Sequence, residues 1–470
     1  MIKVFISEDK YSYDIHSLFK AFFPKEDVKV IPSESGLFED STGDEIIYNI
    51  DVNVDKNELK RNVYKLLSKE TGKELPWGNL TGIRPTRIVM NLLDEGYTDD
   101  EVRSYMKDTY FVSDEKIELS LLIAHREKEI LKDIDYENGY SLYIGIPFCP
   151  TRCLYCSFTA YPIGAYSNIV DDYLSCLEKE IDYVAENFKN KTLDTIYIGG
   201  GTPTTLEPHQ LERLLSYVCD KLDVSKVKEL TVESGRPDSI TRDKLKVMKR
   251  MGVTRISVNP QSMKDETLEL IGRRHTVKEL VDAFNLAREE GFDNINMDII
   301  LGLPGETDED VAYTMSEIKK LDPDDLTVHS LAIKRGSKLA EILMERKADA
   351  EKKGNVLHGE EDEALVMSKM MKEASDGAEQ MGLLPYYLYR QKNISGNYEN
   401  TGYARKGKAG IYNILINEEV QSIVALGAGT VTKRVYGYDG RIERCDNVKD
   451  IKLYMEQIDE MIERKRQLFS

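Results

Sequence analysis

Three cysteines, Cys149, Cys153 and Cys156, stand at intervals of four and three residues in the run YIGIPFCPTRCLYC, which begins at Tyr143. Thiolates are soft ligands that suit zinc or iron–sulfur clusters. A structural zinc site takes four tetrahedral ligands, usually as two pairs. No second pair of Cys or His follows at that spacing, and His209 and His275 stand alone. Three thiolates instead suit a [4Fe-4S] cluster in which one iron keeps no protein ligand. The amino and carboxylate groups of S-adenosylmethionine (SAM) can chelate such an iron. An electron entering the cluster then passes to the sulfonium, and cleavage gives a 5'-deoxyadenosyl radical, an oxidant no side chain can imitate. Cys176, Cys219 and Cys445 are scattered and read as semi-buried residues, since six cysteines in this chain are too few for a disulfide framework.

A second signal is the run Gly199, Gly200, Gly201, Thr202, Pro203, Thr204. Glycines let a backbone approach a ligand closely, and exposed N–H and C=O groups there can hold the methionine part of SAM. By itself the run also reads as a tight turn between a strand and a helix.

The elements that must position these groups follow a regular alternation. From Ser141 onward, short apolar runs recur between helical segments, near Leu142 to Ile146, Thr195 to Ile198, Glu229 to Glu233, Arg255 to Val258, Asn296 to Leu301 and Leu326 to Leu331. That spacing predicts a parallel sheet with crossover helices. Six β/α units without a clear seventh and eighth predict a partial, open (β/α)6 barrel of the α/β class, with its site at the C-terminal ends of the strands. Both chemical motifs fall there. Ahead of it, residues 1–74 read as a small α/β unit with a helix from Asp55 to Ser68, and residues 75–138 as a helical segment. The latter opens on a turn-rich stretch from Pro76 to Arg87 that carries the only Trp, Trp77, and includes a helix started by the capping-box spelling Thr98 to Glu101. Residues 139–335 form the expected core. Residues 336–470 read as a helical and α+β C-terminal unit that could cover the barrel mouth.

Composition narrows the function classes. Of 470 residues, 41% are apolar and 31% charged, enough for two or three folded units. The net charge of −19 argues against a surface that coats nucleic acid, and no run of eighteen apolar residues marks a membrane span. A cytoplasmic location is the default expectation.

The motifs YIGIPFCPTRCLYCSF, IYIGGGTPT, LTVESGRPD, RISVNPQSM, LIGRRHT and NMDIILGLPGET, covering Ser141 to about Ala332, resemble the radical SAM oxygen-independent coproporphyrinogen III dehydrogenases. The tail runs YYLYRQKNISGNYENTGYA and ALGAGTVTK look like the HemZ branch of that family. The resemblance implies a radical SAM barrel and oxidative decarboxylation of propionates in porphyrin (haem) biosynthesis. It also implies one or two SAM molecules beside the cluster, a porphyrinogen substrate, and an electron donor such as flavodoxin or ferredoxin. Residue by residue, it places Tyr143, Tyr155, Gly199, Gly200, Gly201, Thr202 and Glu233 around the cluster-bound SAM. Gln261, Arg273 and Asp298 fall round a second SAM or the substrate channel, with Ala332 and Val431 matching by position alone. Cations for the propionates would come from Arg152, Arg236, Arg274, Lys334, Arg335, Arg390, Lys392, Arg405, Lys406 and Lys408.

Three departures stand out. Ser157 and Phe158 follow the triad where the bacterial dehydrogenases carry an additional Cys. Tyr155 replaces Phe. The His-Asn-x-x-Tyr-Trp motif of the related haem chaperones is absent. A haem-trafficking protein and a radical SAM enzyme acting on tRNA remain the rival readings.

Overall fold

The computed structural model describes residues 1–24, 26–32, 46–158, 160–332, 337–342, 363–390, 398–437 and 440–470. They cluster into two compact units. The first comprises Met1–Arg126 with Leu357–Lys369 and Leu388–Asn400; the second comprises Glu127–Val356, Met370–Tyr387 and Thr401–Ser470.

In the first unit, strands β1 (Ile2–Ile6), β2 (Val28–Pro32) and β3 (Ile46–Ile50) form a parallel sheet in the order β2-β1-β3. Alternation in β1 sends Ile2, Val4 and Ile6 into a core shared with Leu18, Phe19 and Phe22 of α1 (Ser12–Phe22) and Leu59, Val63 and Leu67 of α2 (Lys56–Thr71). Helix α2 starts at Asp55, whose carboxylate accepts from two first-turn N–H groups, and stops at Gly72 in the left-handed region. Three helices follow, α3 (Thr86–Asp94), α4 (Asp99–Tyr110) and α5 (Asp114–Leu131). The Thr98/Glu101 capping box forms at the start of α4. Trp77 is fully buried, and its Nε1 donates to Glu399, which also accepts from Lys116.

The second unit holds the barrel strands β4 (Gly139–Ile146), β5 (Thr192–Gly200), β6 (Glu229–Val232), β7 (Arg255–Ser257), β8 (Ile295–Leu301) and β9 (Asp325–Ser330). All six are parallel and neighbours in sequence order, as the spacing predicts. Their side chains form two rows. One is apolar and buried: Leu142, Ile144, Ile196, Ile198, Leu230, Val232, Ile256, Met297, Ile299, Leu326, Val328. The other is polar and linked from strand to strand. Thr195 donates to Ser141, Tyr197 to Glu233, Asn259 to Asp298, and Thr327 to Asn296. Strands buried on both faces usually read as unbroken apolar runs, so strict alternation marks a lumen built for polar work.

The tail strands do not make a sheet of their own. Among the described residues the sheet has eleven strands. Beyond β9 it continues into β11 (Glu399–Ala404), antiparallel, with β10 (Leu384–Arg390) at the edge. Beyond β4 it continues into β12 (Ser422–Leu426), parallel, and then into antiparallel β13 (Val431–Tyr436) and β14 (Arg441–Asp446). A seventh parallel strand therefore reaches the barrel from the end of the chain.

Helix α6 (Ile411–Glu418) meets the strands at the end opposite to the thiol loop. The Ile411 N–H donates to Glu229, the first residue of β6. Alongside, Arg255 opens β7 and pairs at 2.9 Å with Asp325, which opens β9 and accepts from Tyr386. Buried charges persist only when paired and hydrogen-bonded; here the pair lies within the barrel, and Tyr386 and the Ile411 N–H add hydrogen bonds from the tail. A further buried carboxylate, Glu180, accepts from Lys465 (2.7 Å), Tyr454 (2.5 Å), the Gly427 N–H (2.7 Å) and Asn447 (3.0 Å). No helix among the described residues is long and apolar enough to cross a membrane.

Candidate active site at the C-terminal ends of the barrel strands

The loop that leaves β4 carries the three thiols, each half-buried. Its shape is held from several sides. The Leu154 N–H donates to Ile271 C=O at 3.0 Å, and the Cys156 N–H to Cys153 C=O at 3.2 Å. Arg236, buried and bound in a fork to Asp238, reaches Thr151 Oγ1 at 3.2 Å and Cys153 Sγ at 3.7 Å. Thr202 Oγ1 donates to Cys149 Sγ at 3.5 Å. Burial pushes the Cys149 thiol up to about 11, with the neighbouring Cys156 and Cys153 adding to the rise and the Thr202 hydroxyl opposing it. A ligand that stabilises thiolates is what such a cluster of thiols lacks.

Among the described residues no three His, Cys, Asp or Glu side chains converge as a single metal ion requires. Thiolates that bind separate irons of one cluster need not converge, so three half-buried thiols on one loop fit iron–sulfur chemistry.

The glycine turn packs against this loop. Gly201 N–H donates to Ile146 C=O and Thr202 N–H to Phe148 C=O, both at 2.7 Å. A Cβ at Gly199 would stand 2.9 Å from the Tyr197 ring and 3.0 Å from the Glu233 carboxyl. A Cβ at Gly201 would meet Phe148 O at 2.5 Å, and Gly200 has φ of +107°. Glu233 lies one residue past β6 and accepts Tyr197 Oη at 2.5 Å. Burial pushes its carboxyl up to about 7, helped by the charge of Asp298 and opposed by the Tyr197 hydroxyl and the Gly200 N–H. Tyr143 stacks on Tyr197 and Tyr412, centroids 6.1 Å apart in each case, and Tyr197 stacks on Tyr412 at 4.5 Å.

Across the lumen, Asp298 accepts from Asn259 (2.6 Å) and Asn296 (2.7 Å), with His329 Nε2 at 3.9 Å. The Gln261 N–H donates to Asp298 C=O, and its own C=O accepts from Ile300 N–H, in a bend with φ of +65°. Arg273 is buried; its Nη1 donates to Asn259 C=O (2.7 Å) and Gly235 C=O (3.2 Å), and its Nη2 to Tyr155 Oη (3.3 Å). Its Nε has no partner, and neither ring nitrogen of buried His275 has one. Unused donors beside the thiol loop suit a bound polar ligand.

The structure thus gathers Tyr143, Tyr155, Gly199 to Thr202, Glu233, Gln261, Arg273 and Asp298 at one end of the barrel. Ala332 follows β9 half-buried, and Val431 opens β13, 37% exposed. Arg236 is committed to Asp238 and the thiol loop, Arg405 to Asp322, and Lys408 to Asp293. Arg390 belongs to the first unit. Lys334, Arg335 and Lys392 lie outside the described residues. Sequence reasoning missed Tyr197, Asn259 and His329, although the period-two alternation puts each on the polar row, and it missed Tyr412, for which no local signal exists.

Residues 143–318 match the model of the radical SAM superfamily. Over 88% of this chain and 82% of its own length, the Bacillus subtilis oxygen-independent coproporphyrinogen-III oxidase-like protein HemZ is 40% identical. The chain belongs to the radical SAM family. Within it, the haem chaperone HemW of Bacillus subtilis is 34% identical over 68% of this chain and 76% of its own. The solved structure of Escherichia coli coproporphyrinogen III oxidase, HemN, a radical SAM enzyme, superposes with a TM-score of 0.54 over 69% of this chain and 70% of that one. At 24% identity that likeness shows the fold. As a radical SAM protein of the HemZ, HemW and HemN group, the chain uses a [4Fe-4S] cluster and SAM.

Proposed function

We propose that this radical SAM protein is an oxygen-independent coproporphyrinogen III dehydrogenase, which converts propionate side chains to vinyl groups on the way to protoporphyrinogen IX. The observation that carries the reading is the polar lumen: thiols, glycine cradle, Glu233, Arg273 and Asp298 at one rim, in a chain similar to HemZ over most of its length. When bound, cluster and SAM supply a one-electron cleavage whose organic product removes hydrogen from an unactivated carbon.

The chain's own residues do the rest. Cys149, Cys153 and Cys156 would hold the cluster. Gly199, Gly200, Gly201 and Thr202 leave room for the methionine part of SAM, Glu233 in its ionised form receives the amino group, and Tyr143 and Tyr155 flank it. Arg273, Gln261, Asp298, Ala332 and Val431 would line the second SAM or the substrate channel. Each propionate must lose CO2, one hydrogen atom and one further electron, so an outside acceptor takes the last electron. A small reduced carrier of the flavodoxin or ferredoxin kind would feed the cluster in the cytoplasm.

The similarity to HemW favours a second reading, transfer of haem without decarboxylation. Anaerobic incubation of the reconstituted protein with SAM, dithionite, an electron acceptor and coproporphyrinogen III, beside a parallel titration with haem, separates the two. The dehydrogenase releases two CO2 per protoporphyrinogen formed. Stoichiometric haem binding without CO2 would replace it by the chaperone reading.

A further inference from the structure

The turn-rich stretch from Pro76 to Arg87 lies in the first unit, and buried positive charge is concentrated on it. Lys60 of α2 is 7% exposed, and its ammonium has one hydrogen-bond partner, the Thr81 hydroxyl at 3.0 Å. Arg390 is 4% exposed and, among the described residues, donates only to carbonyls, those of Leu80 at 2.9 Å and Gly82 at 3.4 Å. Its backbone N–H holds Ile83 C=O at 2.8 Å, so the guanidinium lies on the loop itself. The two cations are close enough to repel each other.

The carboxylates nearby are already engaged. Asp14 accepts from Lys56 at 2.8 Å and from Thr81 at 2.9 Å, while Glu399 accepts from Lys116 and Trp77, each at 2.7 Å. Lys116 also pairs with Glu115 at 3.0 Å, so four cations, Lys56, Lys60, Lys116 and Arg390, face three anions, in a chain whose overall charge is −19. Burial pushes the Lys60 ammonium down to about 8 and the Arg390 guanidinium down to about 10. Desolvating cations beyond their counter-charge is unfavourable unless something else supplies the negative charge.

Two independent features show where that charge would sit. Helix α3 begins at Thr86, directly after the loop, and its N-cap residue, Pro85, makes no side-chain cap, at the positive end of the helix dipole. Among the described residues, two buried polar atoms here also lack partners: Arg390 Nε, on the loop, and Thr86 Oγ1, at the first helical residue. We propose that the segment Leu80 to Thr86 is an oxyanion site, in which a phosphoryl or carboxylate group is held by Lys60, Arg390 and the first turn of α3. Gly82 and Ile83 are exposed, so a ligand can approach from solvent.

The test uses the full chain and calorimetric titration at constant ionic strength. Sodium sulfate, sodium phosphate and sodium acetate are the probes. Saturable one-to-one binding is expected, and Lys60→Gln should weaken it by about tenfold or more, the scale of losing one charged partner. Lys246→Gln, an exposed lysine on the second unit, should change nothing. Sulfate keeps its charge across the window, so its affinity in the wild-type protein reports on the protein alone. Lys60 faces Asp14 from α1, Lys56 from its own helix, and Arg390. As its proton leaves, sulfate affinity should fall by about tenfold between roughly pH 7 and pH 9.5. That wild-type profile decides the matter even if Lys60→Gln fails to fold. Tighter binding of sulfate and phosphate identifies a phosphoryl ligand, and tighter binding of acetate a carboxylate. Absence of saturable binding by all three probes, or sulfate affinity that is flat with pH, overturns the proposal.

Discussion

Replacing Glu233 by Gln should make the protein more stable above neutral pH while removing its hold on SAM. The carboxyl is pushed up to about 7 from an ordinary value of 4.5, mainly by burial. Below about pH 4.5 both folded and unfolded chains keep the proton, and the group costs nothing. Between there and pH 7 the unfolded chain releases its proton while the folded chain retains it, so folding stability declines as pH rises. Above pH 7 the full cost is present: about 2.5 pH units at 1.36 kcal/mol each, or about 3 kcal/mol. Glu233 is half-buried as a residue, which makes this an upper figure. Gln carries no charge at any pH and can still accept from Tyr197. Melting curves of wild type and Glu233→Gln without cofactor, taken at several pH values from 5 to 8.5, read the difference directly. The variant should gain on wild type as pH rises, by roughly 5 °C at the top of the range. A gap between the two that does not change with pH would refute the reasoning. In the reconstituted protein the same substitution should weaken SAM binding, and wild-type affinity would remove Glu233 from the site.

Three other expectations follow from neighbouring geometry. Lys465→Met strands the buried Glu180 carboxylate and should cost about 3–5 kcal/mol in urea unfolding; a loss under 1 kcal/mol would show that Tyr454, Asn447 and the Gly427 N–H suffice. Arg236→Gln releases the tie to Thr151 and Cys153, so iron bound per chain after reconstitution should drop while circular dichroism stays unchanged; full iron loading would make the tie dispensable. Gly199→Ala places a methyl 3.0 Å from the Glu233 carboxyl and should reduce SAM affinity by at least about tenfold, with cluster absorption retained.

The six barrel strands are legible because each is a short apolar run between helices at near-constant spacing, and the thiol and glycine motifs are legible because their chemistry is local. The polar row is equally present in the letters. Thr195, Tyr197 and Gly199 alternate with Ile196 and Ile198, and that period by itself marks Tyr197 as facing the lumen. Other features leave no such trace. The Ser422–Leu426 run looks like any buried strand, and nothing near it names a partner 282 residues earlier. Tyr412 reaches the tyrosine stack only because α6 enters from the far end of the barrel. Arg236 reads as a cation for substrate, and only its fork to Asp238 reveals that it secures the thiol loop. Pairings across the chain are set by tertiary fit, which local patterns do not encode.

The parallel pairing of β12 with β4 has a consequence for how the protein is made. The strand that launches the cysteine loop has β5 on one side and β12 on the other, with Ser422 to Leu426 lying along Tyr140 to Ile144. During synthesis the three cysteines emerge long before that second neighbour exists. Contacts so distant in sequence form late, and the exposed strand edge stays open until they do. A ribosome that stalls before Ser422 therefore leaves one edge of β4, the strand that leads into the cysteine loop, without its partner.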